Sequence, residues 1–266
     1  MRGREVLAVP LRALRRAGIV WALSIGSLVV MTVAFWPAFR GETALDDVLK
    51  TLPPALIDAF GLADFGTPAG FLRGNLYAVL VPLMLAVAGV MLANGQLSAE
   101  EDAGRLELYL AQPVTRTAIF LGRAGAVLIW LAVIGAGIFA VQVVADAAFD
   151  LSIATDRVVA TIVLCGLLGA LHAGLVAFVA GITARPALAL GIGMGVAVAG
   201  YVVMALFPIS EVLAPYRHIS PWDWALGSDP LVHGADLWRY VVLAVPTLLL
   251  IAAGSLAFNR RDISSA

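Results

Sequence analysis

Six long apolar stretches dominate the chain, at about 18–39, 75–97, 119–145, 157–183, 187–207 and 239–258. Each is near or above the ~20 residues an α-helix needs to cross a bilayer. The pattern predicts six membrane-spanning helices in one all-α domain over residues 1–266. Pro82 falls inside the second stretch, where neighbouring helices can satisfy the carbonyl it frees. Arg123 lies about one turn into the third, placed to snorkel toward the near surface. The polar segments between the stretches have characters of their own. Residues 2–16 carry five arginines against Glu5, and Pro10 breaks any long helix, so a short amphipathic helix on the membrane surface is expected. The segment resembles a signal-peptide n-region, but the long span behind it and the lack of an A-x-A-like cleavage site argue for retention. Residues 40–73, broken by Pro53-Pro54 and punctuated by Gly61, Gly66 and Gly70, read as two short interfacial helices.

Composition agrees. Of 266 residues, 61% are hydrophobic and 13% charged, too apolar for a soluble domain of this size. The net charge of −1 gives no footing for nucleic acid. Cys165, the single cysteine, sits in an apolar stretch and reads as a packing residue. Lys50 is the single lysine among many arginines and alanines, which suggests a GC-rich bacterial genome. Charge also sets orientation. With six spans, the segments on the N-terminal side of the membrane hold 11 of the 17 Lys and Arg residues and 6 of the 18 acids. The positive-inside rule then places both termini in the cytoplasm, in the inner membrane of a bacterium.

One polar interruption stands out on that inner side, the run SAEEDAGRLELYLAQPVTRT from Ser98 to Thr117. Ser98 followed by Glu101 fits a capping box. Glu100, Glu101 and Asp102 fill a first turn, where the helix dipole favours negative charge. Leu106, Tyr109 and Leu110 form an apolar stripe, and Glu100, Ala103 and Glu107 an acidic face. Pro113 ends the helix. Read from these residues alone, the run fits an ordinary interfacial amphipathic helix and a docking helix equally.

The order of residues adds to this. Glu100, Glu101, Gly104, Leu106, Glu107, Leu108, Leu110, Ala111, Pro113, Val114 and Arg116 follow a pattern that resembles the cytoplasmic loop of type-2 ABC exporter permeases, roughly E-E-x-G-T-L-E-L-L-L-A-x-P-V-S-R. Arg105, Tyr109 and Thr115 depart from it by replacing Thr, Leu and Ser. The L-P-x-x-L…F-G…G-F-L order in 40–73 is similar to actinobacterial antibiotic-export members, and the S-P-W…D-P-L…G loop and the Ala257–Asp262 ending resemble patterns of the same permease family. The resemblance implies a six-span permease subunit that exports a drug-like, antibiotic or lipid-like substrate. It implies a coupling helix, built from Glu100, Glu101, Gly104, Leu106, Glu107, Leu110, Pro113 and Arg116, that docks on a separate ABC ATPase. Two ATPase copies, with ATP and Mg bound there, and a second permease in a homodimer or heterodimer are implied with it.

This chain offers no catalytic, cofactor-binding or metal-binding pattern of its own. A G-x-x-x-x-G-K-[ST] loop needs a lysine, and Lys50 is preceded by Ala44 and Leu49 where glycines are required. His172, His218 and His233 lack the spacing of a metal site. His172 falls mid-span and is a candidate for a substrate path, or else a neutral imidazole bonded to a neighbouring carbonyl or hydroxyl. Ala187, Gly191, Gly195 and Ala199 recur every fourth residue and mark a close-packing seam, facing either a second permease or a helix of the same chain. Trp222, Trp224 and Trp238 are expected in an outer interfacial belt. A secondary transporter, or a membrane assembly or sensor subunit, are the alternative classes. The former needs buried charge pairs, and the spans offer only His172 and Arg123.

Overall fold

The structure, a computed structural model, describes residues 5–39, 66–99, 114–183 and 185–261. Among these it is entirely helical, with six helices long and apolar enough to cross a membrane. They are span 1 (Arg15–Phe39), span 2 (Pro68–Leu97), span 3 (Arg116–Phe149), span 4 (Thr155–Ile182), span 5 (Pro186–Ile209) and span 6 (Leu237–Arg260). Their centres fall where the apolar pattern puts them, and their ends run further where a polar cap carries the helix past the apolar residues. Span 3 is the clearest case. Thr115, in extended conformation, accepts from Ala118 N through Oγ1 at 3.2 Å, and the helix continues until Asp150 turns left-handed at φ 51°. Its length is about 51 Å at 1.5 Å per residue, well beyond a ~30 Å hydrocarbon layer.

Span 2 begins at Pro68, capped by Thr67 Oγ1 on Gly70 N at 3.1 Å, so residues 68–72 are its first turn and not an interfacial helix. The remaining residues of the expected loop, 40–65, lie outside the described residues. Arg73–Tyr77 form a π-helical turn, in which Ala78 N bonds Arg73 O at 2.7 Å, and Val79 leaves helical geometry at φ −136°. Pro82 supplies the reason. It lacks an N–H and its ring crowds the carbonyl four residues back, that of Ala78, so the regular ladder gives way there.

Span 4 is the centre of the bundle, packed on spans 2 and 6 through glycines. A Cβ built on Gly169 would lie 2.6 Å from Leu85 O of span 2, and one on Gly89 would overlap Gly169 O. On the other side a Cβ on Gly254 would lie 2.7 Å from Ala177 O, and one on Gly181 would overlap Gly254 O. Backbones in contact at these crossings are what small residues permit in a membrane bundle.

Helix Glu5–Ala13 is continuous through Pro10, contrary to the expected break. Pro10 deprives Val6 O of its helical donor. That carbonyl instead packs on span 3, where a Cβ on Gly122 would lie 2.6 Å from it. Trp130 Nε1 of span 3 donates to Leu11 O at 2.9 Å, so the helix is fastened to the bundle.

Candidate functional site

The polar run of interest connects the end of span 2 to the start of span 3 in sequence, and the described residues at both ends are tied in. The last carbonyls of a helix lack donors. At the end of span 2, Arg123 of span 3 supplies one, donating from Nη1 to Gln96 O at 2.7 Å. Arg123 is buried, which corrects the expectation that it snorkels outward. A cation at a helix C-terminus gains from both the charge-assisted bond and the dipole. At the start of span 3, Arg116 Nη1 donates to Arg261 O at 3.0 Å, and Asn259 Nδ2 donates to Thr117 Oγ1 at 2.6 Å. Phe120 and Phe258 stack a turn further in, their centroids 5.5 Å apart. Arg261 in turn lays its guanidinium over Phe258 and donates from Nη1 to Ala180 O at the end of span 4, at 3.4 Å. The ends of spans 2, 3, 4 and 6 therefore form one clasp. Side-chain bonds thus link the end of span 2 to span 3, and the start of span 3 to the ends of spans 6 and 4.

Of the expected coupling residues, Arg116 is in this clasp. Glu100, Glu101, Gly104, Leu106, Glu107, Leu110 and Pro113 lie outside the described residues. Ser98, expected to open a helix as N-cap, instead closes span 2. Its backbone is helical, at φ −105° and ψ −51°, and its N–H bonds Asn94 O at 3.1 Å. Its hydroxyl has no hydrogen-bond partner among the described residues, so the expected cap bond is not made there.

His172 is 1% exposed, and its Nδ1 lies 2.8 Å from Leu168 O one turn back. A carbonyl only accepts, so Nδ1 carries the hydrogen and Nε2 is left as an acceptor with no partner among the described residues. The ring lines neither of the two cavities described below.

Gly191 and Gly195 are exposed, and a Cβ at either would meet nothing within 4 Å. Span 5 packs on its own chain through the other face, Ala189, Gly193, Ala197 and Gly200. A Cβ on Gly193 would lie 2.7 Å from Val176 Cγ2. The expected seam thus packs on nothing among the described residues. The close crossings lie on Gly89, Gly169, Gly181 and Gly254, which the period-four reading of span 5 missed.

The opposite end of the bundle is plugged by the short helix Pro221–Leu226. Ser220 begins it, donating to Gly200 O at 2.6 Å and accepting from Trp222 N at 3.1 Å. Trp222 is fully buried against Tyr201, centroids 5.2 Å apart, which removes it from any interfacial belt. Trp238 is half-exposed beneath Arg239. Asp223 is buried between Arg217 at 3.5 Å and His218 at 2.8 Å, and Arg239 donates to the carbonyls of Asp223 and Trp224. Nearby, a cavity of about 270 Å³ is lined by Arg73, Tyr77, Thr161, Tyr201 and Asp229, with Arg73 Nε paired to Asp229 at 2.7 Å. Tyr77 Oη donates to Gln142 Oε1 of span 3 at 2.9 Å. A second, apolar groove of about 520 Å³ runs between spans 3, 4 and 6, past Gly135, Phe139, Ile162, Gly166 and Thr247.

Compared with protein-family models and with curated proteins, the chain matches none.

Proposed function

We propose that this chain is the membrane-spanning permease subunit of an ATP-driven exporter, coupled to a separate ATPase through the segment from Glu100 to Arg116. The observation that carries the reading is the run EEDAGRLELYLAQPVTR, set between the end of span 2, tied to span 3 by Arg123, and the start of span 3, tied to span 6 and through Arg261 to span 4. ATP hydrolysis elsewhere can move this bundle only through an element that grips several spans, and the clasp provides that grip. A second copy of the permease would cover the open face of span 5 at Gly191 and Gly195, and two ATPase subunits would bind the resulting dimer on the cytoplasmic side. The cargo is an amphipathic, drug-like or lipid-like compound, moved out across a bacterial inner membrane. His172 is a candidate for its path.

The test is to co-express the chain with each ABC ATPase of its own genome in turn and isolate the complex by a tag on the permease. The reading expects two permease and two ATPase subunits, with ATP hydrolysis dependent on the assembly. A permease that purifies alone under these conditions contradicts it.

A further inference from the structure

The elbow joining helix Glu5–Ala13 to span 1 carries three arginines that neither the clasp nor the proposed transport uses. Helical bonds continue through the bend, Leu14 N to Pro10 O at 3.0 Å and Gly18 N to Leu14 O at 2.8 Å. Pro10, Leu14 and Gly18 thus form one buried stripe, four residues apart, against span 3. A methyl group on Gly18 would overlap the Trp130 ring, so the contact is tight. Arg12, Arg15 and Arg16 are related by three and four residues and share a neighbouring, exposed face. None of them has an acidic partner among the described residues. Immediately beyond them Ile19, Val20 and Leu23 are 42%, 62% and 68% exposed, the surface of a helix that meets hydrocarbon.

Depth supports the same placement. Trp130 marks the elbow's level on span 3, and residues 130–149 measure about 29 Å at 1.5 Å per residue. That is one hydrocarbon thickness from the far end of span 3. With the far end of span 3 taken as one edge of the hydrocarbon, the elbow falls at the level of the other edge, where apolar chain meets headgroup, and the Trp130–Leu11 bond ties it to span 3.

We propose that Arg12, Arg15 and Arg16 form a binding surface for anionic phospholipid headgroups. The phosphate would be gripped by guanidinium forks, and the acyl chains would lie along Ile19, Val20 and Leu23. This does not depend on the exporter reading. The test is native mass spectrometry of the full-length protein titrated with phosphatidylglycerol, with phosphatidylcholine, and with phosphatidylglycerol in the presence of inorganic phosphate. Phosphatidylglycerol is expected to bind in preference to phosphatidylcholine. Arg12→Gln, Arg15→Gln and Arg16→Gln are each expected to weaken it about fivefold, the scale of one cation at an anionic membrane surface. The triple Lys variant, which keeps the charge but loses the forks, is expected to bind more weakly than the unmodified chain and more tightly than the triple Gln variant, and Arg157→Gln at the other end of the bundle leaves binding unchanged. Equal binding of the two lipids, or wild-type binding by the triple Gln variant, overturns the proposal. So does displacement of the lipid by millimolar inorganic phosphate, which would make the surface a simple anion site.

Discussion

Substituting alanine for glycine at two positions separates a crossing that holds the bundle from a face that holds nothing within the chain. At Gly169, a Cβ would lie 2.6 Å from Leu85 O and 3.0 Å from Leu85 C, both backbone atoms that cannot rotate away. An ordinary C···O contact is about 3.3 Å or longer, so spans 2 and 4 must separate by roughly 0.7 Å. A gap of that size forfeits a quarter to a half of each dispersion well along the crossing. Overpacking of this kind costs about 1–3 kcal/mol. At Gly191 the same methyl meets nothing within 4 Å. The gain in helix propensity, up to ~1 kcal/mol, is common to both sites. The difference between Gly169→Ala and Gly191→Ala is therefore the crossing alone, about 1–3 kcal/mol. Thermal unfolding in detergent measures it, with Gly169→Ala expected lower in Tm by roughly 2–4 °C per kcal/mol. Equal Tm values for the two variants would refute the claim that spans 2 and 4 touch through this glycine.

Three further outcomes follow from side chains placed above. Trp222→Ala empties the plug between spans 4, 5 and 6 and should destabilise by about 3–5 kcal/mol in denaturant, whereas Trp238→Ala on the surface should stay within ~0.5 kcal/mol. Tyr77→Phe strands Gln142 in the bundle and should cost about 1–3 kcal/mol, but adding Gln142→Leu should recover part of that loss, as a double-mutant cycle would register. Asn259→Ala should raise amide hydrogen exchange over residues 254–260, because its bond to Thr117 is one of the ties that keep the end of span 6 closed. Unchanged exchange there would mean the clasp is not a mechanical link.

The six spans were legible because twenty apolar residues in a row have few alternatives. What the pattern could not rank is which face of a span meets protein. Span 4 carries Gly169, Ala173, Ala177 and Gly181 every fourth residue, the same signal as Ala187, Gly191, Gly195 and Ala199 on span 5. The first set lies at backbone crossings and the second faces outward, because burial depends on how the bundle closes and not on spacing within one helix. Arg123 was misplaced for a similar reason. Its partner, Gln96 O, is a backbone atom invisible to residue type. Trp222 reads as interfacial by composition, and only the Ser220 bond to Gly200 O, which pulls Pro221–Leu226 inward, shows it as core. The amphipathic N-terminal helix was legible as such, but its fastening to Trp130 was not.

Coupling is the central claim, and it is tested most directly at Leu106 and Glu101. Losing one partner of a desolvated charged contact costs about 2–5 kcal/mol, or roughly 30-fold and more in affinity. Leu106→Asp and Glu101→Arg should each leave the permease inserted in the membrane but unable to retain its ATPase on co-purification, while Asp150→Asn at the far end retains it. Export should fall with the lost ATPase. If both variants hold the ATPase as tightly as the unmodified chain and still transport, the segment between spans 2 and 3 is an interfacial helix and the coupling account is contradicted.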